Sequence, residues 1–353
     1  MKKTLILTLL TLCTMANAQT YGDEGPTLTP NAFGLVYEDA ISENVPGKVN
    51  LHRVNYKIDG IDVVAHVYTP AGYDPKGSYA AVVVAHPNGG SKDQVAGLYA
   101  QKLSEAGFVT IAFDARYQGE SGGEPRRTDK PANRMGDIMG AVDFIQNYPG
   151  VDPERIGAFG ICGGGGYTFA TAQVDKRIKA VGTLSLFNTG DVRRNGYMRT
   201  QKGDIAARQR DVSLARQKEA AGAEPELAGF MNWTPEEARQ IKVDLYRDGY
   251  FYYGVTHKTP NAPGTFSNCS TGTLSAHEMT VSSLAIPSIF ASSCRAKLSM
   301  LPMTIRAEVR RSVLRSRRSR SSDVPNVKTM PSTVARKPAR KDRSHSFVFA
   351  FIK

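Results

Sequence analysis

Residues 155–167, RIGAFGICGGGGY, constrain this chain more than any other stretch. The apolar residues from Ile156 to Ile161 read as a buried strand. The glycines that follow open a helix carrying Tyr167, Phe169 and Ala170. Cys162 stands at the turn, with Gly160 two residues before it and Gly164 two after. This is the G-x-nucleophile-x-G spacing of a nucleophile elbow. The glycines have a steric reason. The nucleophile is held in a strained backbone conformation, and side chains at the flanking positions would strike the neighbouring strand and helix. A thiol at a helix N-terminus also faces the positive end of the helix dipole, which is expected to favour the thiolate. A phosphate-binding glycine loop is the competing reading, but neither G-x-G-x-x-G nor G-x-x-x-x-G-K-[ST] is present here. A buried structural cysteine is the other alternative.

The chain has 353 residues, 41% of them hydrophobic, enough for one large α/β domain. Its net charge of +12 suggests a nucleic-acid partner until the charge is located. Residues 269–353 hold 16 Lys and Arg against 4 Asp and Glu, while residues 1–268 hold 29 of each sign. The body is neutral and the tail carries the whole excess. Residues 1–18 read as a signal peptide: Lys2 and Lys3, an apolar run from Leu5 to Leu12, and Ala16-Asn17-Ala18 as the cleavage site. Periplasmic or secreted localisation is therefore expected, with no membrane attachment once the signal is removed. Between residues 19 and 268 the only cysteine is Cys162, which rules out a disulfide framework there.

Residues 19–47 form a polar arm. Two strand-like runs, 49–56 and 61–68, flank Asp59-Gly60, a hairpin signal. His52 and His66 lie within them and read as structural. The continuous apolar run 80–85 reads as a central parallel strand ending in His86-Pro87-Asn88-Gly89-Gly90. A helix capped by Ser91 is expected next, with Val95, Leu98, Tyr99 and Leu103 inward and Gly107 closing it. A buried strand over 108–114, the loop DARYQGESGG, a helix through Ile138 and Ile145, the elbow, and a strand over 178–186 complete the series. Strands alternating with helices make a mostly parallel sheet with helices on both faces. In such sheets the working residues gather at the strands' carboxyl ends, so His86, Asp114 and Cys162 are expected at one crevice. Residues 187–265 read as a helical cap, with Thr234-Pro235-Glu236-Glu237 as a helix start and an aromatic run around Tyr246, Tyr250, Phe251, Tyr252 and Tyr253.

Over residues 48–265 the chain resembles an α/β-hydrolase. Gly160-Ile161-Cys162-Gly163-Gly164 is similar to the cysteine-nucleophile branch, the dienelactone-hydrolase-like enzymes, and the loop from Asp114 to Ser121 is similar to the D-x-R-G-x-G-x-S loop of the wider superfamily. The resemblance implies an ester or lactone hydrolase that acts on a small molecule through an acyl-enzyme on Cys162, without metal or cofactor. The oxyanion would be held by the N–H of Gly163 and by one from the loop after the 80–85 strand. Pro87 has no N–H, so Asn88 is the expected donor and Gly89 the second choice. His86 is expected to be structural, because this fold supplies its base after the nucleophile.

The expected acid and histidine have no clear place. After Cys162 the histidines are His257, His277 and His345, and none follows a recognisable strand-plus-Asp unit. Serine rises from 8 in residues 1–268 to 16 in residues 269–353. We expect the reading frame to have shifted near 266–269, so that residues 266–353 replace the last strands, the acid and the histidine. The chain would then be inactive as written. A genuine Arg/Ser-rich tail that binds RNA or an acidic surface is the competing reading, although no specific nucleic-acid partner is expected of an exported protein. A non-catalytic binding protein on the same fold and a peptidase of the same superfamily are the functional alternatives.

Overall fold

The computed structural model describes residues 27–186, 188–195, 205–224, 233–262 and 347–350. The pairing of the strands follows their sequence patterns. Asn50–Ile58 (β1) alternates exposed and half-buried residues, as an edge strand does. It turns through Asp59 and Gly60, both at positive φ, into Ile61–Thr69 (β2), its antiparallel partner. Tyr79–Ala85 (β3), Val109–Phe113 (β4), Val151–Ile161 (β5) and Ile178–Leu184 (β6) are the apolar runs, and they pair in parallel. The sheet has seven strands in the order β1-β2-β4-β3-β5-β6-β7. β3 is thus central, as its unbroken Val82-Val83-Val84 run requires.

Val95–Glu105 (α1) packs on one face of the sheet; Pro131–Ile145 (α2) and Gly163–Val174 (α3) pack on the other. Ile138, Ala141, Val142 and Ile145 of α2 lie against Val83, Ile111 and Ala158. Two details differ from expectation. The buried stripe of α1 is Ala96, Gly97 and Ala100; Val95, Leu98, Tyr99 and Leu103 flank it. A Cβ on Gly97 would meet Lys92 O of the preceding loop at 2.5 Å and the Tyr68 hydroxyl of β2 at 3.0 Å, so close packing selects a small residue there. Ser91 also does not cap α1: the N-cap is Gln94, and the Ser91 hydroxyl accepts from the Asp93 N–H.

Beyond the sheet come Thr189–Asn195 (α4), Ile205–Ala220 (α5), Pro235–Arg239 (α6) and Asp244–Tyr250 (α7), followed by a π-helix, Phe251–Thr256. Thr234 and Glu237 form the expected capping box at α6. Phe347–Ala350 (β7) pairs antiparallel with β6. The short apolar run FVFA follows a long polar stretch, and its length hides it from a search for runs like that of β3. The other tail residues, His277 and His345 among them, lie outside the described residues, as does the proposed frame break near 266–269.

Candidate active site

The elbow takes the strained form its spacing demands. Cys162 has φ 58° and ψ −123°, a conformation that costs on the order of 1–3 kcal/mol for a non-glycine residue. It is held by hydrogen bonds on both sides, Cys162 N–H to Leu184 O at 2.8 Å and Gly165 N–H to Cys162 O at 3.0 Å. The flanking glycines leave no room for a side chain. A Cβ on Gly160 would lie 2.5 Å from Gly164 O in α3, and one on Gly164 would lie 2.4 Å from His86 O at the end of β3. Strand, turn and helix are therefore in backbone contact.

The thiol behaves differently from expectation. Burial pushes the Cys162 thiol up to about 11, against the effect of the Gly163 N–H at its sulfur; Asp129 pushes it further up and Arg134 pulls it down. Loss of water around the half-buried Cys162 outweighs the Gly163 N–H. The resting group at neutral pH is the thiol, so a base is needed to activate it.

His86 is not that base. Its Nδ1 lies 2.7 Å from Pro87 O and its Nε2 accepts the Ala115 N–H at 3.1 Å, so both nitrogens are engaged. Burial first and Arg134 second lower its pKa to about 3, and it stays neutral. Two of the other described histidines are engaged, and His66 Nδ1 is buried without a hydrogen bond. His52 lies 3.3 Å from Thr69 Oγ1, His66 is buried beside Asp93, and His257 stacks on Tyr252 with its Nδ1 2.8 Å from Thr256 Oγ1. None of the four hydrogen-bonds to Cys162.

Of the two expected donors, Asn88 lies against the elbow, and Gly89 follows it at positive φ. Among the described residues their backbone N–H groups donate no hydrogen bond, which leaves them free for a ligand oxygen. The Asn88 carboxamide lies against Gly163; a Cβ there would fall 1.7 Å from Asn88 Oδ1. Its Nδ2 donates to Asp129 Oδ2 and approaches the Tyr167 hydroxyl at 3.3 Å. Asp129 is 2% exposed, and Arg134, which is 1% exposed, lies 3.5 Å from its Oδ1. Arg134 also donates to His86 O at 2.5 Å and stacks over the Tyr167 ring at 5.4 Å. From the other side Tyr253 of the π-helix reaches the same loop: a Cβ on Gly90 would lie 3.4 Å from its Cε1. Asp129 and Arg134 were not foreseen, whereas Tyr253 belongs to the aromatic run expected in the cap. Asp129 and Arg134 sit in the charged segment RRTDKPANR, which reads as a solvated loop and helix start.

Asp114 does not join this group. It accepts from the Lys92 N–H at 2.8 Å, Lys92 Nζ at 3.0 Å and the Glu120 N–H at 3.0 Å. A Cβ on Gly119 would sit 2.3 Å from its carboxylate, which explains the glycine in that loop. Arg116 joins Asp137 of α2 at 2.6 Å and Asp59 of the hairpin at 2.5 Å. The DARYQGES loop thus ties sheet, helix and hairpin together. A cavity of about 470 Å³, lined by Lys48, His52, Thr69, Tyr73 and Tyr148, lies at the opposite end of the parallel strands.

Comparison with known proteins follows this geometry. Residues 64–185 match the family model described as the dienelactone hydrolase family. YcjY of Escherichia coli is 42% identical over 206 residues, covering 58% of this chain and 66% of its own length. PA2218 of Pseudomonas aeruginosa is 39% identical over 196 residues, covering 54% of this chain and 51% of its own. The crystal structure of PA2218 superposes with a TM-score of 0.60 at 30% identity, over 70% of this chain and 75% of that one. Thiohydrolase aneE of Aspergillus aculeatus is 32% identical over 124 residues, 35% of this chain and 37% of its own. The aligned part thus spans from about two thirds to little more than a third of these relatives' own lengths.

Proposed function

We propose that this chain, which belongs to the dienelactone hydrolase family of the α/β-hydrolase superfamily, is an exported hydrolase of ester, thioester or lactone carbonyls with Cys162 as its nucleophile. The observation that carries the reading is the strained Cys162 between Gly160 and Gly164, with Asn88 packed against Gly163. In the first half of the reaction the sulfur loses its proton to a base and attacks the carbonyl carbon. The carbonyl oxygen becomes an oxyanion, and the Gly163 N–H with that of Asn88 or Gly89 would receive it. Collapse breaks the bond to the leaving alcohol or thiol, which takes up the proton. Water then attacks the acyl thioester, releasing the acid and restoring the thiol. The name of thiohydrolase aneE supports including thioesters. The signal-like residues 1–18 support export.

A specific observation favours a second reading, a binding protein on the same fold: no described histidine bonds to Cys162, and its thiol is protonated at neutral pH. Release of p-nitrophenol from short acyl esters separates the two, measured before and after thiol alkylation and in Cys162→Ala. Hydrolysis that is lost in both is the expected result. Hydrolysis that survives both removes Cys162 from the mechanism. Hydrolysis absent here but present in a chain whose frame is restored after residue 266 assigns the deficit to the missing base.

A further inference from the structure

We propose that the buried pair Asp129–Arg134 is a positioning element of the Cys162 site: Asp129 fixes the Asn88 carboxamide against Gly163, and the opposed charges of the pair set the reactivity of the sulfur. Three observations converge on it. The Asp129 carboxylate reaches the elbow through one intermediary, since Asn88 Nδ2 donates to its Oδ2 while Asn88 Oδ1 occupies the space over Gly163. The pair is under-satisfied: Asp129 Oδ1 is buried without a hydrogen bond and has only Arg134 at 3.5 Å. Arg134 is tied to the same place from the other side, bonding His86 O at the end of β3 and stacking on Tyr167 of α3.

His86 on β3 is neutral, and burial holds the Tyr253 hydroxyl far above its usual range, with Tyr252 and Cys162 adding to the effect. Tyr167 on α3 approaches through Asn88. Among the described residues, the side-chain charges that act on Cys162 are those of Asp129 and Arg134, and they act in opposite senses. Asp129 restrains the thiolate and Arg134 favours it.

The inference rests on Cys162 being the reactive thiol, but its test requires no turnover. The rate of iodoacetamide alkylation at Cys162, located by mass spectrometry of its peptide, is followed against pH. Asp129→Asn keeps the shape and removes the charge. It is expected to lower the midpoint by about one pH unit, a roughly tenfold faster reaction at a fixed pH below the midpoint. Arg134→Gln is expected to raise the midpoint by a similar amount, and the double variant to return it near the starting value. Loosening of the fold would expose the sulfur and lower the midpoint in all three variants, so the opposite signs are diagnostic. The double variant keeps the test open if Arg134→Gln fails to fold. Unchanged midpoints, or shifts of one sign throughout, overturn the proposal. Slower alkylation in Asp129→Asn also overturns it, because Asp129 would then be taking the proton itself. Failure of ester hydrolysis with the opposed shifts intact would strike only the hydrolase reading.

Discussion

Two buried charge clusters lie at the carboxyl ends of the same parallel strands, and they are built differently. Around Lys92 three carboxylates share one ammonium group, although Asp93 Oδ1 is buried without a hydrogen bond. Lys92 Nζ reaches Asp114 at 3.0 Å, Asp93 at 3.2 Å and Glu120 at 2.5 Å, and Asp114 receives two backbone N–H groups besides. Around Arg134 the bond geometry is looser, and a carboxylate oxygen is also left without a hydrogen bond. The first cluster joins loop to loop beneath the surface. The second lies beside the strained cysteine. Several ion pairs on one ammonium group hold a single arrangement, whereas the sparser pair beside the nucleophile acts on it electrostatically. The fold thus separates support from chemistry within a single rim, and the DARYQGES loop belongs to support.

The largest expected effect breaks the supporting cluster. Lys92→Met leaves Asp114 and Asp93 buried without their cation and should cost about 3–5 kcal/mol, read as a lower midpoint of denaturant unfolding. If that variant unfolds as the wild type does, the cluster is not structural. Next is Gly164→Ala, whose new Cβ would fall 2.4 Å from His86 O. Forcing β3 and α3 apart should cost about 1–3 kcal/mol and lower the thermal midpoint; an unshifted melt would mean that the elbow has slack.

A pH effect sharpens the contrast. Burial alone would raise the Asp114 carboxyl, but Lys92 and the Glu120 and Lys92 N–H groups overcome it and hold it below its ordinary value. In the window between the ordinary carboxylate value and that lower one, the unfolded chain binds more protons, so stability rises with pH there. The contribution is present above that window and is lost as pH falls through it. Asp114→Asn should therefore flatten the acid limb of the stability curve, and an unchanged limb would count against the ion pair. The smallest effect is at the capping box: Thr234→Ala should cost about 1 kcal/mol in the melt and leave the alkylation profile of Cys162 unchanged. A shifted profile there would show that the helices after β6 control the thiol.

The sheet was legible because its signals are local. The runs around Val83, Ile111 and Ala158 announce buried strands by continuity alone, and Asp59-Gly60 announces the hairpin by its backbone needs. Cys162 was legible because its neighbours must be small. The thiol's resistance to ionisation was not legible, because it depends on which distant residues exclude water from the sulfur. Asp129 and Arg134 were hidden for the same reason: charged residues before a helix look solvated until the chain closes over them. Asp114 misled in the opposite direction. Its place at a strand end suggested chemistry, while its partner Lys92 lay in a loop that carried no recognisable motif.

The account turns on one sulfur. Intact-protein mass spectrometry after brief exposure to p-nitrophenyl acetate at alkaline pH should show a single added acetyl group, mapped to the Cys162 peptide and absent in Cys162→Ala. The yield should climb as pH rises toward about 11, where the thiol ionises. Acetylation that is equal in Cys162→Ala, or that maps elsewhere, would contradict the assignment of Cys162 as the nucleophile.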